Sequence, residues 1–486
     1  MSTDTLTGLE PRLVWSHFEA LTRIPRPSKE EEAAREHVLS WARERGLESD
    51  VDPAGNVVVR VPATTGREHA PVVVLQAHLD MVCERDLGSP NDPRAGRIDV
   101  LRDGDWVLAD GTTLGADNGI GVAAALAAAE DGDVSHGPLE LLLTVSEEQG
   151  LDGAKALDPG LVAGRLLVNL DGTSDDAITV GCAGSAHTFL RLPLRLEPAP
   201  EGWVSLEVSL AGAKGGHSGA DISRGRANAI KALGRILSSA HDQEPFRLRR
   251  LSGGVSRNAI PREASAVIGL ARASEPAFRR AARDALAALR ERYATSDEGL
   301  ELSVEPAADE GAASDEQTAA ALDLVAALPS GVLGLTPGVA PAPVETSTSL
   351  TLASTDGVVL ALGSMTRSSS TGALDEAVAT FEAVARLSGA EIEVRRSYPP
   401  WRPDLGSSLL ATARETFVGL FDAEPRLEVV HGGLECAVIG DRLEGIEMIS
   451  IGPEIVGPHA PGERLSIPAT ERFYRLLSAL LDDLSS

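Results

Sequence analysis

At 486 residues the chain is too long for a single hydrophobic core, so two or more domains are expected, one of them inserted into another. A hydrophobic fraction of 43% with 24% charged residues excludes a disordered chain. The 44 Lys plus Arg against 72 Asp plus Glu give a net charge of −28, a field that repels nucleic acid and anionic membranes.

The first residues carry acids and lack an apolar leader stretch, so the chain reads as a soluble cytoplasmic protein. Helices are expected over 10–25 and 29–46, with Ser28 and Glu31 spaced as a capping box and Gly46 as the stop. A strand follows over 56–61. The run VVVLQAHLDMVCE, 72–84, is continuously apolar until it breaks onto His78 and Asp80. That pattern predicts a buried parallel strand delivering polar side chains at its carboxyl end, where open α/β sheets keep their active sites. Residues 86–112 are polar and aperiodic, a loop or a small hairpin around Trp106. At 113–130 a glycine-spaced turn feeds an alanine-rich helix with Asp117 at its start.

Two more apolar strands, 139–145 and 166–170, break onto Ser146-Glu147-Glu148 and onto Asp171. Past residue 185 the texture changes to alternating strands, with helices at 226–239 and 275–293, an Ala/Glu-rich span at 304–326 and a connector at 339–348. From 398 the chain continues through a helix to 420, the segment HGGLEC, a strand EMISIG and a terminal helix at 468–484. Cys83, Cys182 and Cys436 are far apart and form no CxxC, which indicates reduced thiols rather than a disulfide framework or a zinc knot.

His78, Asp80, Asp117, Glu147, Glu148, Asp171 and the distant His459 are the chemical candidates. Taken singly, each has a bland reading as a structural histidine, a helix cap, a solvated pair or a turn residue. Taken together, carboxylates with imidazoles and no thiolate form the ligand set for one or two zinc, manganese or cobalt ions that keep positions open for water. In an extended HLD, His78 and Asp80 point the same way, so Asp80 can hold the second nitrogen of a ligating imidazole. The adjacent Glu147 and Glu148 diverge, so one can ligate while the other serves as general base. Gly216-His217-Ser218-Gly219-Ala220 ends in Ala where a nucleophile elbow needs Gly, and no HExxH or phosphate loop occurs.

AHLDMVCE, TLGADNGIGVA, TVSEEQGLDGAKAL, LVNLD, GCAGS, GGHSGADI with RANAIKAL, RNAIPREA, TSTSL, MTRSS, HGGLEC and PHAPGER occur in this order. In them the chain resembles the aminoacyl-histidine dipeptidases, or cytosolic non-specific dipeptidases, among the co-catalytic zinc exopeptidases. The resemblance implies an α/β fold: a discontinuous zinc-exopeptidase catalytic domain, 1–185 plus 397–486, with an inserted α+β lid domain, 186–396. It implies two divalent ions, zinc by preference and manganese or cobalt as alternatives. Asp117 would bridge them, His78 and Asp171 would complete one site, and Glu148 and His459 the other. Asp80 would orient His78 and Glu147 would be the general base. In the lid, His217 would polarise the scissile carbonyl, while Asn258 and Arg367 would hold the substrate's backbone and terminal carboxylate.

The implied reaction is hydrolysis of dipeptides with free termini, of the Xaa-His type, by a metal-bridged hydroxide. An N-acyl-amino-acid deacylase, a tripeptidase or a non-catalytic metal- or peptide-binding protein are the alternatives. A homodimer through the lid is a further implication of the resemblance. The chain departs from the family pattern at Gly172-Thr173, at Ser349 where Asn is usual, and in HGGLECA and PGER. None of these departures falls on an implied ligand, whereas Ser349 bears on substrate contacts.

Overall fold

Six residues, Val73–His78, form a strand buried at every position, flanked on both sides by parallel partners, Leu139–Thr144 and Leu166–Asn169. A strand covered on both faces needs a continuous apolar run, which is what the segment supplies. The computed structural model describes residues 5–308 and 311–486. These strands are the centre of an eight-stranded sheet. In spatial order it runs Glu48–Val51, Val57–Val61, Leu139–Thr144, Val73–His78, Leu166–Asn169, Glu447–Ser450, Ala177–Cys182 and Arg426–Val430. The shared direction of the central strands brings His78, Thr144 and Asn169 to one edge, so the residues that follow each of them emerge together.

Helix Ala116–Glu130 is buried around nearly its whole circumference, as its run of alanines permits, and packs against the Val73–His78 strand and helix Arg12–Thr22. The expected hairpin is present as Val100–Asp103 paired with Trp106–Ala109, and it joins Ile455–Val456 and Arg464–Ser466 in a four-stranded sheet. Helix Ile467–Ser485 ends the chain, capped by the Ser466 hydroxyl.

The chain divides into two compact units. One holds the described residues up to Cys182 together with 401–430 and 434–486; the other holds 183–400 and 431–433. The second is built on a nine-stranded sheet, all of whose pairings are antiparallel. Its helices are Ala229–His241, Glu275–Arg292, Asp315–Ala327 and Thr371–Ser388. Phe246 and Phe278 meet edge-to-face in its core, and the half-buried His241 ring packs edge-on against Phe246.

Several local expectations are corrected. Ser28 and Glu31 form no capping box: helix Glu32–Glu44 has no side-chain cap. The Ser28 hydroxyl donates instead to Asp80 Oδ2 at 2.7 Å, and Glu31 accepts from the Lys29 and Ser146 amides. Long-range partners outcompete the local bond. The supposed connector 339–348 already belongs to strand Val344–Asp356 from residue 344 onward. The span 304–326 is the end of strand Glu301–Pro306 plus helix Asp315–Ala327, and its residues 309 and 310 lie outside the described ones. The end of HGGLEC opens a further helix, Glu435–Arg442. No helix among the described residues is long and apolar enough to cross a membrane.

Candidate active site

His78, at 1% exposure, sits among three carboxylates. Its Nδ1 is 3.3 Å from Asp80 Oδ1, and its Nε2 lies 3.1 Å from Asp117 Oδ1 and 3.5 Å from Asp171 Oδ1. Burial alone would lower its pKa, but Asp171, Asp117 and Asp80 outweigh it and raise the imidazole well above its usual value. Asp117 turns its second oxygen to His459 Nε2 at 3.2 Å, and the same nitrogen lies 3.1 Å from Glu148 Oε2. Hydrogen bonds to Asp117 and Glu148 push His459 up to about 11. His459 holds its backbone at φ 67°, a sparsely populated region for a residue with a Cβ.

Asp80 is an organiser. Its oxygens accept from the Ser28 hydroxyl and from the backbone amides of Glu147 and Glu148, at 3.0 and 3.2 Å. Despite burial, these bonds and His78 hold its pKa down at about 2. The Asp80 interaction aims the two glutamates as well as the histidine. Glu147 is raised well above the carboxylate range by burial and by Asp171, Glu435 and Glu148, and Asp171 is raised to about 7 by burial and Asp117.

Such crowding leaves the centre short of positive charge. His78, Asp117 and Glu148 each offer one ligating atom, all within 4.8 Å of one another, and Glu148 Oε1 is buried without a partner. Hard oxygens plus imidazole nitrogens, an orphaned carboxylate oxygen and mutual repulsion are what divalent cations would relieve.

Three functional residues went unread in the sequence. Glu463, almost fully buried, accepts four consecutive backbone amides: Leu114 and Gly115 on Oε2, at 2.8 and 3.0 Å, and Ala116 and Asp117 on Oε1, at 2.8 and 3.2 Å. It thereby fixes the turn that presents Asp117. Arg26, equally buried, grips the Leu79 and Asp80 carbonyls and the Gly115 carbonyl of that same turn. Glu435 accepts from Gln76 Nε2 and Thr144 Oγ1, both at 2.6 Å, keeps Oε1 unpartnered, and is pushed by burial up to about 7. Glu435 and Glu463 stand inside HGGLEC and PHAPGER, so motif membership was the one available signal.

The second unit gathers another set. His217 Nδ1 accepts the Gly219 and Ala220 amides, at 3.2 and 3.1 Å, which places the neutral ring's proton on Nε2. Its backbone amide donates to Asp221, and burial and Arg367 lower its pKa. Asn258 lies in the turn just before Ala259–Ile260, the strand that pairs with Gly216–His217: its carbonyl accepts from the Ser218 amide at 2.7 Å, and its side-chain oxygen accepts from the Ser256 hydroxyl. Arg367, only 5% exposed, touches Tyr398 Oη at 3.3 Å, has an orphaned Nε and forms no ion pair among the described residues. His431 Nε2 contacts Ser347 Oγ at 2.7 Å.

Burial, Arg367 and His217 press His431 down to about 4 from the usual 6.5. Between those values the unfolded chain binds a proton that the folded one refuses, so stability is complete above pH 6.5 and falls as pH drops toward 4. The loss is at most about 3 kcal/mol. His431→Gln is expected to flatten this part of the profile in urea unfolding across the window; identical slopes for both proteins would contradict the assignment.

Carboxylates and imidazoles gathered beyond the carboxyl ends of the parallel central strands of a mixed sheet define a class, the metal-dependent α/β hydrolases. More narrowly, the chain belongs to the peptidase family M20/M25/M40, whose profile it matches over residues 74–483. It is 37% identical over 480 residues to the cytosol non-specific dipeptidase of Escherichia coli (strain K12), covering 99% of both chains. The crystal structure of aminoacylhistidine dipeptidase from Vibrio alginolyticus superposes with a TM-score of 0.93 at 34% identity, covering 99% of this chain and 98% of the other. A tripeptidase from Staphylococcus aureus, at 16% identity and a TM-score of 0.56 over 98% of this chain and 99% of the other, shares the fold.

Proposed function

We propose that the protein is a dipeptidase of the cytosol that uses two divalent ions, zinc by preference, to hydrolyse dipeptides with free termini, Xaa-His substrates among them. The observation that carries this reading is Asp117, whose two carboxylate oxygens face two different imidazoles, His78 and His459. A bridging carboxylate has this disposition. His78 and Asp171 would hold one ion, Glu148 and His459 the other, with Asp80 fixing the tautomer of His78. Bound there, the ions supply charge neutralisation and Lewis acidity.

The chain's own residues do the rest. Glu147 takes a proton from the attacking water and returns it to the leaving amine, consistent with a carboxylate that is buried, adjacent to the ligands and not itself required as one. In the second unit, read as the lid, His217 offers its Nε2–H to the developing oxyanion and Asn258 its side-chain amide to the peptide backbone. Arg367, a buried guanidinium with no ion pair among the described residues, suits the terminal carboxylate of the substrate.

Dialysis against a chelator tests the metal half of this reading. Dipeptide hydrolysis is expected to vanish and to return on adding zinc, manganese or cobalt, with two ions bound per chain at saturation. Full turnover by protein shown by elemental analysis to be metal-free would overturn it.

A further inference from the structure

The second unit contains a cavity of about 470 Å³ lined by parts of helices Ala229–His241 and Glu275–Arg292 and of strand Gly331–Leu335. That size lies within the ~300–1,000 Å³ range of small-molecule sites. Its wall carries four cationic side chains, Arg226, Lys231, Arg235 and Arg292, and, among the described residues, no Asp or Glu. In a chain where acids outnumber bases 72 to 44, a wall with four cations is a local reversal of the protein's field.

The four cations are not equivalent. Lys231 spends its ammonium protons on the Val325, Ala326 and Leu328 carbonyls, and Arg226 is held by the Gly215 carbonyl and by Asp221 at 3.4 Å. Arg235 and Arg292 have no acidic partner among the described residues; Arg292 lies only over the Tyr293 ring, 5.5 Å from its centroid. Two fixed cations thus stand beside two guanidinium groups that are free to chelate. The same cavity is lined by the apolar side chains of Ile260 and Leu289, both nearly fully buried.

From this arrangement we infer that the cavity binds a small organic anion, a carboxylate or phosphate on an apolar body, with Arg235 and Arg292 taking the headgroup. Planar guanidinium groups favour such oxyanions bidentately, and the apolar lining selects against inorganic ions. Arg226 also ties the cavity wall to the His217 loop, since its partner Asp221 accepts the His217 backbone amide at 2.9 Å.

Isothermal titration of the metal-loaded protein tests the site with phenyl phosphate and benzoate, with inorganic phosphate and benzyl alcohol as controls lacking one half of the ligand. At least one aromatic anion is expected to bind with one-to-one stoichiometry and more tightly than either control. Arg235→Glu and Arg292→Glu, both on exposed positions, are each expected to weaken it by about tenfold or more, the scale of a lost charge-assisted contact. Unchanged melting would show that the variants are folded. Absence of binding by both anions overturns the inference, and so does binding that both charge reversals leave intact, which would place the anion elsewhere, for instance at the carboxylate–imidazole centre. Neither outcome bears on the dipeptidase reading.

Discussion

Glu147→Gln is expected to lower kcat on a dipeptide by about 10²–10⁴-fold, the contribution of a positioned general base, while metal content and KM change little. The basis is positional. Glu147 is the neighbour of Glu148, yet only Glu148 lies beside His459; Asp80 holds the backbone amides of both and so fixes their divergence. Burial, then Asp171, Glu435 and Glu148, raise the Glu147 carboxyl well above its usual range, a setting in which a carboxylate holds and releases a proton near neutrality once cations offset its neighbours. Steady-state kinetics with elemental analysis of the same samples checks this. Near-normal kcat would remove Glu147 as the base, and a matching loss of metal would make it a ligand instead.

The second large effect concerns Glu463. Its replacement by Ala leaves the Leu114, Gly115, Ala116 and Asp117 amides without their acceptor and deprives fully buried Arg26 of a nearby anion. Each buried unsatisfied donor costs about 1–3 kcal/mol, and four are left at once, so even with relaxation and water entry a loss of roughly 3 kcal/mol or more is expected. Because that turn presents Asp117, metal affinity should fall as well, by about 10–100-fold if Glu463 behaves as an outer-shell partner does. Glu463→Gln, which keeps one good acceptor, should fall between. Urea unfolding and competition with a zinc-binding dye measure the two quantities separately. Wild-type values for both in Glu463→Ala would show that the turn holds itself.

What the sequence disclosed follows from the range of the forces involved. The strand ending at His78 was legible because burial on both faces demands an unbroken apolar run, and the break onto polar residues marks its end. Asp117 was legible because glycines cluster where a chain turns into a helix. Glu463 was not, because its partners are backbone amides nearly 350 positions away, which leave no mark on the residue types around it. Ser28 and Glu31 illustrate the converse: their spacing satisfies a local rule, but Asp80 and the Ser146 amide are better partners than the helix end. Val344 was hidden by Pro341 and Pro343, which made the start of a long strand read as a connector. For the second unit, antiparallel alternation announced strands and helices, but the meeting of His217, Arg367 and His431 depends on pairings spread over more than two hundred residues.

The most direct measurement is amine release from Ala-His, Leu-Gly, a tripeptide and an N-acetylated amino acid, each offered at equal concentration to zinc-loaded protein. Rapid hydrolysis of the two dipeptides, with the tripeptide and the acylated compound far slower, is the result this account predicts. Cleavage of the acylated compound or the tripeptide in preference to both dipeptides would contradict it and move the function to a deacylase or a tripeptidase.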